Sequence, residues 1–347
     1  MKKDMTFNRS SILLLAMKSR TFIALLILLV IFSLLAPNFF TLTSLVLVAK
    51  HVALYAILSI GMTAVIISGG IDLSVGAIVG LCGIIAGNLI LNGMPIDAFG
   101  VIIYFSVPIV MLIAAITGMI AGLINGFFIS YVNVPPFITT LGTMYIARGI
   151  ALIYSKGETL PYLVGKDILG NTGFPILGSM QILGLPLAVW IMLIIALITG
   201  FIFKKQPLGW HIFAVGGNEH SAELSGVRIK KVKLFVYMLS GFCAAIAGLI
   251  ATSQLVAAHP ATGNSWEMNA IAASVLGGTS MSGGIGTIGG TIVGAFVIGV
   301  LNDGMVMLGV SEFWQMIIKG AVIIIAVIVD QFQRNMESKI ALKMRNS

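Results

Sequence analysis

The sequence has little charge. Of its 347 residues only 9% are Asp, Glu, Lys or Arg, while 58% are hydrophobic. A soluble domain carries about 25% charged residues, because water must solvate its surface. So sparse a set cannot cover a water-facing exterior for a chain of this length. That excludes an ordinary soluble enzyme or binding module and makes lipid the main solvent. Cysteine is scarce too. Cys82 and Cys243 both fall in apolar runs, which gives no disulfide framework and no thiolate metal site, only two small buried hydrophobes. The four histidines, His51, His211, His220 and His259, are scattered without metal-ligand spacing. No G-x-x-x-x-G-K-[ST] run occurs, so the chain has no phosphate-binding loop of its own. Gly284-x-Gly286-x-x-Gly289, with Asp303 beyond it, matches the dinucleotide fingerprint. It lies in an apolar run of small residues rather than after a strand in a soluble crevice, so the match is a coincidence. No nucleophile–base constellation stands out. No catalytic residue, metal ligand or bound cofactor is assigned, and no enzyme is expected.

The charge that is present is arranged in clusters. Lys2, Lys3, Arg9, Lys18 and Arg20 precede the first apolar run. Lys204, Lys205, Arg228, Lys230, Lys231 and Lys233 share one polar loop, and Arg334, Lys339, Lys343 and Arg345 close the chain. The three clusters hold 15 of the 20 lysines and arginines. Separated in this way between apolar spans, they read as positive-inside topology signals rather than as a nucleic-acid patch. A span needs about 20 mostly apolar residues. Such runs fall near 20–38, 44–68, 72–91, 101–131, 136–154, 185–203, 232–257, 285–303 and 313–330. Pro37-Asn38-Phe39-Phe40 follows the first run where a signal peptide would carry a small-residue cleavage site, so the run is read as a retained span. Six spans bring the chain back to the basic side at Lys204, and an even number must follow Lys233. A short or broken helix over about 266–282 restores that parity. The expectation is an all-α polytopic membrane protein of about ten transmembrane helices with both termini cytoplasmic; a re-entrant pair near 266–282 is the other arrangement. The whole chain, 1–347, reads as one transmembrane domain. Residues 1–20 and 331–347 are its cytoplasmic ends, and 204–233 is a cytoplasmic loop.

Within the spans, glycines recur at i, i+4: Gly76 and Gly80, Gly83 and Gly87, Gly118, Gly122 and Gly126, Gly286, Gly290 and Gly294. Small residues at that spacing let helix backbones approach in lipid, here to pack the chain against itself. Two glycine-rich turns, Gly69-Gly70-Ile71-Asp72-Leu73-Ser74 and Gly277-Gly278-Thr279-Ser280-Met281-Ser282, hold comparable places in the two halves and point to an internal repeat around a central path. Ionisable residues at this depth are functional candidates. Asp72 either caps free N–H groups at a helix start or, with Ser74, lines and gates a path. Glu267 caps the short helix that follows it or serves the same path. Arg148 and Lys319 pair with acids or snorkel. Asn125, Asn133 and Asn269 are donors to a hydroxylated solute or bonds between helices. In the polar loop, Asn218 to Gly226 reads as a short helix, with Asn218 as N-cap, Glu219 at the positive end and Gly226 as the stop. It is either a connector or a knob that docks on a partner.

Several long stretches, in order, resemble the ribose-type permeases of bacterial ATP-binding-cassette importers. They are Gly61-Met62-Thr63 through Gly69-Gly70-Ile71-Asp72-Leu73-Ser74-Val75-Gly76; Pro136-Phe137-Ile138-Thr139-Thr140-Leu141-Gly142-Thr143; Ala214-Val215-Gly216-Gly217-Asn218-Glu219; Leu224-Ser225-Gly226; Ala270 through Ser280; and Phe313-Trp314-Gln315. The resemblance runs from about Asn38 to Asp330. It implies a type II importer-like permease in the bacterial inner membrane that translocates a monosaccharide or sugar-like solute by ATP-coupled alternating access. It implies three partners: an ATPase subunit that holds ATP and magnesium, a periplasmic or lipid-anchored sugar-binding protein, and a second permease subunit, identical or paralogous. It also implies that Asn218, Glu219, Ser221, Ala222, Leu224 and Gly226 form the helix that contacts the ATPase. His220, Ser221 and Glu223 depart from the family's usual Glu, Ala and Arg there, and Asp303 stands where Asn is frequent. The rival readings are a proton-coupled secondary transporter of a small hydroxylated solute, with Asp72, Glu267 or Asp303 as relay, and a non-transporting assembly subunit.

Overall fold

The computed structural model describes residues 20–345. Lys2, Lys3, Arg9 and Lys18 lie outside the described residues. Apolar composition throughout, with no proline inside a helix beyond its first turn, gives a chain of helices: α1 (Arg20–Leu35), α2 (Leu42–Ile67), α3 (Val75–Leu91), α4 (Val107–Tyr131), α5 (Pro136–Ser155), a single turn α6 (Ile176–Ser179), α7 (Leu187–Lys205), α8 (Pro207–Gly217), α9 (Glu219–Leu224), α10 (Ile229–Leu255), α11 (Trp266–Leu276), α12 (Ile288–Met307) and α13 (Glu312–Arg345). Pro136 and Pro207 occupy the first turn of their helices, where the missing N–H costs nothing. Two short antiparallel hairpins complete the structure. Met94–Ile96 pairs with Val101–Ile103, and Gln181–Ile182 with Leu185–Pro186.

Six helices, α2, α4, α5, α7, α10 and α12, are long and apolar enough to cross a membrane; α1 and α3 are shorter apolar helices. The chain is thus an all-α multi-pass membrane protein. Three expected boundaries move. The run 101–131 is helical only from Val107, because Val101–Ile103 is spent on the first hairpin. The span 313–330 has no stop, and α13 continues to Arg345, so the expected tail is mostly helix. The segment 266–282 holds only the eleven residues of α11, which rise about 16 Å, roughly half of a hydrocarbon core.

The core forms around α10, which packs on α2, α3 and α4, while α12 packs on α2 and α11. The glycine spacings act here as packing faces within the chain. A Cβ on Gly122 would meet the Tyr237 carbonyl, and one on Gly118 would lie 2.7 Å from the Ala245 Cβ, so α4 and α10 approach backbone to backbone. Cys82 and Cys243 are buried and free.

Candidate functional site: two broken helices under a connecting helix

The two glycine turns are alike in structure. After α2, Gly69 takes φ 85°, the Gly69 N–H donates to Ile66 O (2.9 Å) and the Gly70 N–H to Val65 O (3.0 Å). After α11, Gly278 takes φ 89°, its N–H donates to Val275 O (2.9 Å) and the Thr279 N–H to Ser274 O (3.0 Å). Each is a left-handed stop that satisfies the last carbonyls of its helix and lets the chain reverse. Side-chain chemistry without glycine's freedom would be strained at both. The stretch beyond the second stop touches the end of α2: the Gly284 N–H donates to Ile67 O at 2.8 Å. Deeper in, Thr63 Oγ1 lies 2.7 Å from Thr291 Oγ1 and donates to Ser274 Oγ at 3.0 Å, so α2, α11 and α12 are fastened together.

Asp72 is fully buried between α2 and α3. Its Oδ1 accepts the Ser74 N–H (3.0 Å) and hydroxyl (2.5 Å), and Oδ2 accepts from Ser240 Oγ on α10 (2.8 Å). Asn125 Nδ2 on α4 donates to Ser74 Oγ (2.9 Å), and Thr143 Oγ1 on α5 donates to Asn125 Oδ1 (2.6 Å). One chain of hydrogen bonds therefore ties the first break to three helices. Asp72, Ser74 and Asn125 come together in it, and all three are sealed from solvent. Ser240 and Thr143 complete it unforeseen. Tyr237, one turn before Ser240, lies beside it, its buried hydroxyl pointing at Gly70 without a hydrogen-bond partner. The cue in the sequence is the pair of polar residues at i, i+3 in an apolar helix.

The other expected residues are elsewhere. Glu267 and Asn269 sit in α11. A Cβ on Gly76 would meet the Glu267 carboxylate, so this acid packs at the start of α3. Arg148, in α5, donates to the carbonyls of Pro260, Thr262 (3.1 Å) and Gly76 (3.5 Å), which pins the 256–265 connection to α3. Its charge also interacts with Glu267. Asn269 is buried. Asn133 stands apart from the cluster, exposed in the turn between α4 and α5 with φ 60°.

Below the two breaks lies the connection from α8 to α9. Gly216 and Gly217 are backed onto both: a Cβ on Gly216 would meet the Ile67 carbonyl and stand 2.7 Å from Gly284 N. Asn218 Oδ1 accepts the Ser221 N–H (2.7 Å) and so caps α9, and Gly226, at φ 84°, stops the chain beyond it. Glu219 receives Lys233 Nζ at 2.7 and 2.8 Å, which braces α9 on α10. Ala222 is buried, while Ser221 and Leu224 face outward, Leu224 77% exposed. A cavity of about 300 Å³ joins these parts, with Gly70 and Tyr237 on one wall and Gly217, Asn218, Glu219 and Lys233 on the other. The end of α8, which runs straight into α9, is thus in backbone contact with the end of α2 and with the stretch between α11 and α12. Among the described residues, no group of three His, Cys, Asp or Glu could hold a metal ion.

Comparison with known proteins places the chain in a family. Residues 44–327 match the family described as branched-chain amino acid transport system / permease component. The ribose import permease protein of Haemophilus influenzae is 40% identical over 317 residues, 91% of this chain and 93% of the relative. That of Escherichia coli K12 is 39% identical, over 90% and 94%. The galactose/methyl galactoside import permease protein of Escherichia coli K12 is 36% identical, over 94% and 97%. No solved structure matches. This chain belongs to that permease family, among its ribose-type members.

Proposed function

We propose that this chain is the membrane-spanning permease subunit of an ATP-driven importer for a monosaccharide or a sugar-like solute. The observation that carries the reading is α9: a capped helix of six residues, displayed at one end of the bundle and joined to α8, whose end at Gly216 and Gly217 is backed onto the two breaks. In a family of permease components, a displayed helix of this kind is the part a separate ATPase subunit would grip. The relatives import ribose and galactose or methyl galactoside, and a D-allose transport permease is also 35% identical, which supports a monosaccharide class. In this account α11, with the irregular stretches on either side, makes one crossing. The bundle then has ten crossings, and the chain ends and α8–α9 share the cytoplasmic side of the bacterial inner membrane. A second permease subunit, identical or paralogous, completes the pathway. A sugar-binding protein delivers solute at the opposite end, and ATP with magnesium is held by the ATPase. The Asp72 cluster holds the first break in register, so α2 and α3 move as one piece when α9 is pushed. Bundled polar contacts of this sort have two discrete arrangements more readily than a continuous range.

Docking is tested by co-purification. The ATPase subunit should copurify with the wild type and be lost from Leu224→Asp, which alters an exposed side chain and leaves the fold unchanged. Retention of the ATPase by that variant would remove α9 from the interface.

A further inference from the structure

At the end of the bundle opposite α9, a second cavity of about 310 Å³ opens between α2, α10, α11, α12 and α13. None of its residues belongs to the Asp72 cluster or to the α8–α9 connection. Its lining is unlike the lipid-facing surface: His51, Tyr55, Gln254, Trp266, Asn302 and Asp303 all face it. Asn302 is only 6% exposed, yet neither its amide oxygen nor its nitrogen makes a hydrogen bond; Tyr55 stands beside it without closing one of good geometry. The amide nitrogen of Gln254 is buried and unpartnered as well. Buried amides are costly to leave unsatisfied, and the two side chains that carry these three atoms both line the one cavity, which suits a polar occupant. His51 Nδ1 meets both Asp303 oxygens at 3.0 Å, and Lys319 also stands on the lining, so the cavity carries both an acid and a base. Tyr55 and Trp266 meet edge to face at 5.6 Å and supply an aromatic corner. Volume, amide donors and acceptors, charge of both signs and an aromatic corner describe a site for a small neutral molecule with hydroxyls on its edges and C–H groups on its face. At the low end of ligand-pocket size, roughly 300–1,000 Å³, it holds one ring and not two.

We propose that this cavity is a binding station for a single neutral monosaccharide within one permease protomer, with Asn302 and Gln254 bonding its hydroxyls and Trp266 packing on its face. The assignment rests on the sugar-import reading. It also gives Asp303 a task, to hold His51 in place at the cavity's edge.

The test is tryptophan fluorescence of the purified full chain in lipid nanodiscs, without ATPase or binding protein, titrated with D-ribose, D-galactose, D-allose and, as counter-probe, L-leucine. At least one sugar should give a saturable change that L-leucine does not. The change should vanish in Trp266→Phe, and its midpoint should rise at least about tenfold in Asn302→Leu and in Gln254→Leu. Asn302→Leu should melt no lower than the wild type, because it removes an unsatisfied buried amide at similar volume; a purely structural asparagine would lower the melting temperature. No saturable change with any sugar, a response to L-leucine alone, or a sugar response that survives both leucine variants would overturn the proposal. ATP-driven uptake measured in parallel separates the two readings. Uptake without binding removes this station and keeps the importer, whereas binding without uptake keeps the station and removes the importer.

Discussion

Gly216→Ala is the sharpest perturbation of the coupling geometry. The added methyl would meet the carbonyl of Ile67, stand 2.7 Å from Gly284 N and 2.8 Å from the Ile67 carbonyl carbon. All three are backbone atoms at the ends of broken helices, so no side chain can rotate away. Ordinary contact begins near 3.4 Å, and α8 must back off from both breaks to reach it. Overpacking of this kind costs about 1–3 kcal/mol. Applied to the equilibrium that holds α8 against the breaks, that is roughly a five- to 150-fold loss of coupling. Gly217→Ala is the matched control: it makes the same chemical change one residue later, where a Cβ would meet nothing within 4 Å. Both substitutions gain similar helix propensity, about 1 kcal/mol relative to glycine, so that effect cancels in the comparison. In proteoliposomes with the ATPase and binding protein, Gly216→Ala should cut uptake by that factor while ATP hydrolysis continues, and Gly217→Ala should match the wild type. A Gly216→Ala protein that inserts normally and transports at the wild-type rate would refute the reasoning.

Three further outcomes follow from the same contacts. Asp72→Ala removes the acceptor of two hydroxyls and one N–H in a sealed site, so thermal melting should show a loss of about 1–3 kcal/mol for each group left unsatisfied; Asp72→Asn, which keeps the volume, should lose less and still support ATP-driven uptake. Glu219→Gln breaks a pair whose acid is half exposed, and melting should shift by no more than about 1 kcal/mol. Arg148→Lys cannot reproduce a fork shared by carbonyls of Pro260, Thr262 and Gly76, so amide exchange over residues 256–265 should quicken while α5 itself stays protected.

Much of the fold was legible because lipid imposes a simple rule: a long apolar run must satisfy its own backbone, and so it is a helix. Nine runs gave nine helices, and Asn218 and Gly226 marked α9 because capping is local chemistry. The glycine spacings could be read as packing faces for the same reason. The errors arose where an apolar run met another local signal. Val101–Ile103 turns into a hairpin, since glycines at 93 and 100 take left-handed turns before each strand. What spacing could not show is which distant pieces meet. The bond from Gly284 to Ile67 and the link from Asp72 to Ser240 each join residues far apart in the chain, set by packing alone. The cavity at the other end of the bundle was hidden in another way. Its polar residues are isolated in separate apolar helices, though His51 and Tyr55 on α2, and Gln315 and Lys319 on α13, share the i, i+4 spacing of a single helix face.

The central claim is that a separate ATPase drives sugar through this chain by pushing on α9. The measurement that tests it most directly is uptake of radiolabelled D-ribose, D-galactose and D-allose into proteoliposomes containing this chain, its ATPase and its binding protein, with ATP and a proton gradient supplied separately. The account predicts uptake that requires ATP and the ATPase and is lost when Glu219→Ala is combined with Gly226→Pro in a protein that still inserts. Uptake driven by the proton gradient alone, with the ATPase left out, would contradict it.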